Sequence, residues 1–113
     1  MAQKRKINIL KRAKGFRHGG SKKIAQAHER LMRAGRYAFA HRRDKKTDFR
    51  KLWIVRLNAA VRALPVQAGA KPLSYSAFIA KLKKTGFELD RKVLSTFASE
   101  HPEIFDRIAK QVI

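Results

Sequence analysis

The sequence predicts an all-α protein, in which a long basic N-terminal helical arm leads into a small C-terminal helical bundle. From Ser21 to about Ala63 the strongest helix-breaking residue is Gly35. Apolar residues recur at steps of three and four in the second half of that segment and in three short stretches after residue 73. Residues 1–62 carry 20 Lys and Arg against 3 Asp and Glu, whereas residues 63–113 carry 8 against 5.

The composition limits the possible classes of protein. A formal net charge of +20 on 113 residues implies a polyanionic partner, because a free domain would be strained by self-repulsion. The absence of cysteine excludes disulfides and Cys-based zinc sites. No apolar run approaches the roughly 18 residues of a membrane-spanning helix. The basic start, residues 1–6, has no signal-peptide apolar region; a mitochondrial targeting segment would share its charge, but phosphate binding is the favoured interpretation.

The first element is a predicted short basic helix over residues 2–14, with Ile7, Leu10 and Ala13 on one side. Gly15, Gly19 and Gly20 then end the helix and permit positive φ or close backbone approach. Two interpretations of this loop stand equally: a hinge, or a phosphate-binding loop. In the second, its amides act together with Lys14, Arg17, Lys22 and Lys23.

Ser21 is the predicted N-cap of a long helix that ends near Ala63, with a possible kink at Gly35. The stretch 36–48 lacks a broad apolar face and has like charges four apart, so we expect it to fray alone and to order on a polyanion. Further along, one face of the helix becomes apolar, at Phe49, Leu52, Trp53, Leu57, Ala60, Val61 and Leu64. The predicted domains are therefore a basic arm, 1–48, and a helical domain, 49–113.

Residues 64–73 form a predicted linker that reverses the chain, and three short helices follow. Ser74 or Ser76 caps the first helix and Gly86 closes it, Asp90 caps the second, and Pro102 lies in the first turn of the third. Their predicted apolar sets are Phe78, Ile79 and Leu82; Val93, Leu94, Phe97 and Ala98; and Ile104, Phe105, Ile108, Ala109 and Val112. The face at 49–64 covers them, and Trp53, Phe78, Phe97 and Phe105 dominate the predicted core.

No arrangement of residues predicts catalysis. The four histidines have no partner at the spacing of a metal site, and the serines lack a nucleophile motif. We therefore expect no enzyme, cofactor, metal or small-molecule substrate. Trp53 is interpreted as core rather than as a base-stacking residue. For Tyr37 and Phe39, base or ribose contact and packing remain equally open, and Asn58 either satisfies a backbone group or reaches a base edge.

The Lys and Arg run of residues 36–62 favours phosphate contact over a solvated face, because a solvated face mixes signs. Charge spread around a long helix favours RNA, whose folded junctions surround a rod on several sides. The runner-up is a DNA-binding protein, because residues 74–97 resemble a helix-turn-helix. A membrane-active cationic helix is a distant third, since the densest charge lies where no apolar face exists.

The residues resemble the family of the bacterial-type large ribosomal subunit protein L-twenty. Three blocks carry the resemblance, in order along most of the chain. The first is Lys14–Arg17 with Gly20 and Ser21. The second is Ala34–Ala38, Arg42–Arg43, Phe49–Arg50, Leu52–Ile54, Arg56–Ala60 and Arg62. The third is Leu73–Ser76, Phe78, Leu82–Lys84 and Glu88–Leu94.

The resemblance implies a helical arm threaded into large-subunit ribosomal RNA, a small helical C-terminal domain and a role in early subunit assembly. The implied partners are that RNA and neighbouring large-subunit proteins, without a membrane. The RNA contacts implied by matching positions are Lys14, Gly15, Arg17, Arg36, Tyr37, Arg42, Arg43, Arg50, Arg56 and Arg62. The charge pattern and loop add Ser21, Lys22, Lys23, Arg33, Lys45, Lys46, Lys51 and Asn58 to the predicted interface.

Two features depart from the family pattern. Only 13 residues precede the Lys14-Gly15 block, whereas bacterial members usually have a longer basic arm there. The linker at 64–73 is also longer than usual and rich in proline. The short arm is similar to that of mitochondrial members, so the expectation is a mitochondrial ribosome in the matrix, with a bacterial ribosome as the alternative.

Overall fold

The computed structural model describes residues 2–65 and 71–113, with only the backbone of Ala2. Helix α1 spans Ala2–Arg12, a short 3-10 helix spans His18–Ser21, and α2 spans Ile24–Ala63; α3 spans Tyr75–Lys84, α4 spans Arg91–Glu100 and α5 spans Pro102–Val112. No strand occurs in the described residues, and the predicted all-α class is confirmed. The chain divides into two compact units, Met1–Lys45 and Lys46–Ile113. The predicted functional boundary at 48/49 stays a prediction.

In the first unit, the chain enters α2 without the predicted serine cap. Ser21 ends the 3-10 helix, and α2 begins three residues later, at Ile24. The amides of Lys22 and Lys23 donate to the Gly19 carbonyl at 3.2 and 2.8 Å, and the Ala27 amide donates to the Lys23 carbonyl at 2.9 Å. The prediction of Ser21 as N-cap is therefore wrong, because a 3-10 turn whose hydrogen bonds end on the Gly19 carbonyl carries the chain through Lys22 before α2 begins.

The predicted apolar side of α1 is buried only toward its C-terminal end. Ala13 is buried and Leu10 is half-buried, but Ile7 is exposed. Helix α2 then runs without interruption through Gly35 and ends at Ala63, where the sequence predicted its end.

The second unit, residues 46–113, has one apolar core. Leu57 and Val61 of α2 are buried together with Phe78 and Leu82 of α3, Leu94 of α4, and Phe105, Ala109 and Val112 of α5. The rings of Phe78 and Phe105 pack with centroids 5.8 Å apart and planes at 43°. Phe97, Ile79, Ala98 and Ile108 pack against this cluster as predicted. The core therefore forms where three short helices meet the last turns of α2.

The core begins later along α2 than the sequence predicted. Phe49 and Leu52 are 44% and 40% exposed, and Trp53 is half-buried outside the core cluster, with its ring centroid 6.4 Å from that of Phe49. The reason is length: a face from 49 to 64 is about 24 Å long, whereas helices of 10 or 11 residues measure about 15–17 Å. The prediction that Trp53 would dominate the core is wrong.

Two further predicted core residues lie at the surface. Val93 is 38% and Ile104 42% exposed. At 100° per residue, Ile104 lies about 100° around α5 from Phe105, and so falls outside the buried stripe of that helix. The buried residues of α4 are Leu94, as predicted, and Ser95, which was not predicted.

The helix ends in the second unit follow the predicted capping residues closely. Ser74 Oγ accepts a hydrogen bond from the Ala77 amide at 3.3 Å, which decides between the two candidate serines. Gly86 has φ of +79°; its amide donates to the Lys83 carbonyl, and the Phe87 amide donates to the Leu82 carbonyl, both at 3.3 Å. This is the Schellman motif, in which a left-handed glycine closes a helix.

The predicted residues also lie at the starts of α4 and α5, but only their positions are as predicted. Asp90 occupies the N-cap position of α4 but makes no side-chain capping bond. Pro102 lies in the first turn of α5, as predicted. The predicted reversal of the chain at 64–73 falls largely on residues 66–70, outside the described residues.

Replacing Ser95 by alanine is expected to raise the free energy of unfolding by about 1–2 kcal/mol. Ser95 is 1% exposed, and its Oγ has no hydrogen-bond partner in the part of the chain that the structure describes. Urea denaturation of the full chain measures the change. Ser99→Ala is the matched control on the same helix, because Ser99 lies at the surface and its Oγ donates to the Ser95 carbonyl at 3.0 Å. A destabilised Ser95→Ala variant would contradict the prediction.

Candidate nucleic-acid interface

The cationic members of the predicted interface lie at the surface. The exposed residues are Lys14, Arg17, Lys22, Lys23, Arg33, Arg36, Arg42, Arg43, Lys45, Lys46, Arg50, Lys51, Arg56 and Arg62. Gly15 and Tyr37 are exposed as well, whereas Ser21 and Asn58 are half-buried. Lys14 to Lys45 belong to the first unit and Lys46 to Arg62 to the second. Their side chains are thus accessible to a polyanion.

The glycine-rich loop of the first unit has a defined conformation. Gly15 has φ of +90° and His18 has φ of +57°, both in the left-handed region that L side chains seldom adopt. The Gly20 amide donates to the Arg17 carbonyl at 3.4 Å, and the Phe16 amide donates to the Ala13 carbonyl at 3.1 Å. These backbone hydrogen bonds join residues within the loop and stabilise its conformation.

Arg30, a residue that the sequence analysis missed, fixes this loop to α2. Its Nη1 donates to the Arg17 carbonyl. Gly20 is buried, and a Cβ placed there would collide with the Arg30 guanidinium. A side chain at position 20 would therefore displace the Arg30 guanidinium from this place. Arg30 and Arg17 are 13 residues apart, and a contact at that separation leaves no periodic signal in the sequence. The role of Arg30 could therefore not be predicted from periodicity.

In the second unit, the face of α2 that is buried at its end is cationic at its start. At 100° per residue, Lys46, Arg50, Leu57 and Val61 lie within about 60° of one another around the helix axis. Leu57 and Val61 are fully buried by the bundle, whereas Lys46 and Arg50 are exposed. One face of the helix can thus contact the bundle at one end and a polyanion at the other.

A second face of α2 carries the remaining predicted contacts of this unit. Lys51, Asn58 and Arg62 lie within about 40° of one another and more than about 90° from the Leu57 direction, while Arg56 lies on the opposite flank. Lys51 and Arg62 are exposed, and Asn58 is half-buried. Cationic groups therefore surround α2 on several sides, an arrangement that suits a folded RNA better than one groove of a duplex.

The exposed aromatic rings on α2 make local contacts. The rings of Tyr37 and His41 stack with centroids 6.1 Å apart and planes 11° apart, and the Arg42 guanidinium lies 5.8 Å from the Phe39 ring centre. Tyr37 is 55% and Phe39 74% exposed. Neither ring is in the hydrophobic core, so core packing does not account for them.

One exposed ion pair joins an acidic residue to the predicted interface. Glu29 and Arg33 form an exposed ion pair with an N–O distance of 2.6 Å; such exposed pairs contribute at most about 1 kcal/mol. In the described residues, no group of three or more His, Cys, Asp or Glu side chains could hold a metal ion. No helix in that same part of the chain has the length and apolarity needed to cross a membrane.

The chain is similar along most of its length to curated bacterial proteins. The chain is 46% identical over 107 residues to the large ribosomal subunit protein bL20 of Leptospira biflexa, which covers 95% of this chain and 86% of that protein. It is 42% identical over 111 residues to bL20 of Roseiflexus sp. strain RS-1, with 98% and 89% coverage. It is 46% identical over 110 residues to bL20 of Synechococcus sp., with 97% and 87% coverage. A family model described as ribosomal protein L20 matches residues 1–108, and the chain belongs to the ribosomal protein L20 family.

Proposed function

We propose that this chain is a structural constituent of the large ribosomal subunit and binds large-subunit ribosomal RNA. The family match over residues 1–108 is the observation that carries this function. The 20 Lys and Arg of residues 1–62, opposed by 3 acidic residues, supply the means of RNA binding. A ribosomal protein family also agrees with the expectation that the chain is not an enzyme, and none of the relatives described above favours the DNA-binding alternative.

The RNA interface that we propose comprises the glycine-rich loop and two cationic faces of α2. Phosphates would be neutralised by Lys14, Arg17, Lys22 and Lys23 at the loop and by the Lys and Arg residues between 33 and 62. Releasing the counterions condensed on RNA makes such binding favourable at low salt and weak at high salt. Contacts on several sides of one helix would bring RNA segments together, which is how the chain would support subunit assembly.

Two parts of this interface have different sources of order. The stretch 36–48 is helical and exposed throughout, so RNA contact is the proposed source of its order in solution. Beyond Leu57, burial against three short helices supplies the order. The exposed Leu52 and Val55 between these parts offer apolar surface to a neighbouring ribosomal protein.

The compartment that we propose is the bacterial cytoplasm rather than the mitochondrial matrix. The relatives reported above are proteins of bacteria, at 42–46% identity. Their similarity extends along most of the chain, which supports the bacterial alternative over the mitochondrial expectation that the short arm suggested.

Sedimentation tests the proposed function. The tagged full chain, expressed in a bacterium, should sediment with large ribosomal subunits at about 0.1 M salt and be released toward about 1 M, because each phosphate contact contributes ~0.7–0.9 to the log–log salt slope. Ribonuclease should release the protein and deoxyribonuclease should not. A chain that stays in the soluble fraction, or that deoxyribonuclease releases, would overturn the proposal.

A further inference from the structure

A shallow cleft in the first unit is not explained by phosphate binding. Its volume is about 370 Å³, and its lining residues are Phe16, Arg17, Arg30, Arg33, Ala34 and Tyr37. Two aromatic side chains and the mostly apolar parts of three arginine side chains therefore form one concave surface. The volume lies at the small end of the range for ligand sites, about 300–1,000 Å³, and suits a single planar ring system.

The walls of this cleft are held in place without a ligand. The Arg30 guanidinium donates to the carbonyl of Arg17, so it joins the loop side of the cleft to the α2 side. Gly20 packs closely under Arg30, and the left-handed His18 fixes the path of the loop. A site that is ordered beforehand loses less conformational entropy on binding.

We propose that this cleft receives one unpaired nucleobase of RNA, which stacks on Phe16 or Tyr37 while the arginines meet the flanking phosphates. Stacking on aromatic rings and guanidinium planes is the usual means of holding an unstacked RNA base. The exposed Arg33–Glu29 pair is weak enough to give way to a phosphate. An apolar side chain from a neighbouring protein fits less well, because it would bring no anion to the exposed Arg17 at this cleft. This inference rests on the proposed RNA-binding function.

Two RNA hairpins isolate the contribution of the base. One has a single unpaired adenosine, and the other has an abasic ribose at the same position, so that backbone and charge match. The full-length protein should bind the first about 5- to 150-fold more tightly, the range expected for one stacked base. Equal binding to both hairpins would overturn the base site and leave the proposed function standing, whereas binding to neither at low salt would overturn both.

Substitutions locate the preference within the molecule. Phe16→Ala or Tyr37→Ala should reduce the preference for the base at least severalfold, and Tyr37→Phe should retain it. Phe39→Ala is the matched control, because Phe39 lies on the same helix as Tyr37, outside the cleft, and is more exposed than Tyr37. Helicity measured by circular dichroism checks that each variant is folded. A preference that survives in both folded alanine variants, or that Phe39→Ala removes, would contradict the assignment to this cleft.

Discussion

Phe78→Ala is expected to lower the free energy of unfolding of residues 46–113 by about 3–5 kcal/mol, as truncation of a buried phenylalanine does. Phe78 is fully buried and packs on Phe105 at the centre of the helical bundle. Domains of this size are stable by only about 5–15 kcal/mol, so the loss removes a large fraction of the total. Urea denaturation of the full chain, followed by circular dichroism and by the dispersion of methyl resonances, measures it.

Trp53→Ala is the informative comparison for this variant. Tryptophan is larger than phenylalanine, but Trp53 is half-buried and outside the core cluster, so we expect a loss of only about 1 kcal/mol. If Trp53→Ala were the more destabilising variant, α2 would have to be covered from Phe49 onward, as the sequence pattern predicted. The arrangement of the core described above would then be wrong.

Replacing both Arg42 and Arg43 by alanine is expected to weaken binding to large-subunit ribosomal RNA about 25- to 60-fold at 0.1 M salt. The figure follows if each arginine neutralises one phosphate and the two contacts contribute nothing at about 1 M salt, since each contributes ~0.7–0.9 to the log–log slope over the tenfold interval from about 0.1 to 1 M. The slope itself should fall by about 1.4–1.8. Both side chains are exposed on α2, so the fold of the bundle should not change. Filter binding over a series of salt concentrations gives both quantities.

A charge-matched control separates local contact from net charge. Lys83→Ala with Lys84→Ala removes the same two positive charges from the exposed end of α3, in the bundle. We expect at most a severalfold loss of affinity for that variant, with nearly the same salt slope. Equal losses for the two double variants would mean that RNA responds to the overall charge of the protein, which would refute a defined interface on α2.

Much of the secondary structure could be predicted from residues close together in the chain. Three features appear where local chemistry predicted them: the end of α2 at Ala63, the N-cap at Ser74 and the left-handed helix end at Gly86. Each depends on interactions within about one helical turn, which sequence patterns encode directly. Ser21 is not a cap because backbone hydrogen bonds to the Gly19 carbonyl, rather than a side chain, hold the turn that precedes the helix.

The candidate interface also has one part that the sequence predicts and another that it does not. The cationic side chains of α2 were predictable, because a large excess of one charge remains at the surface wherever the helix lies. Arg30 and the cleft between Phe16 and Tyr37 were not, since they depend on the loop folding back over α2 across 13 residues. Contacts of that kind have no period in the sequence.

The sequence by itself determined the helical class, the polyanionic partner and the resemblance to a ribosomal protein family, because composition and local periodicity carry those properties. Only the tertiary structure decided how much of α2 is core. Three helices of 10 or 11 residues cover the region from Leu57 onward and leave Phe49, Leu52 and Trp53 partly exposed. The apolar stripe of a helix indicates which face of the helix can be buried. The length of the elements that pack against that face sets how far along the helix the burial extends.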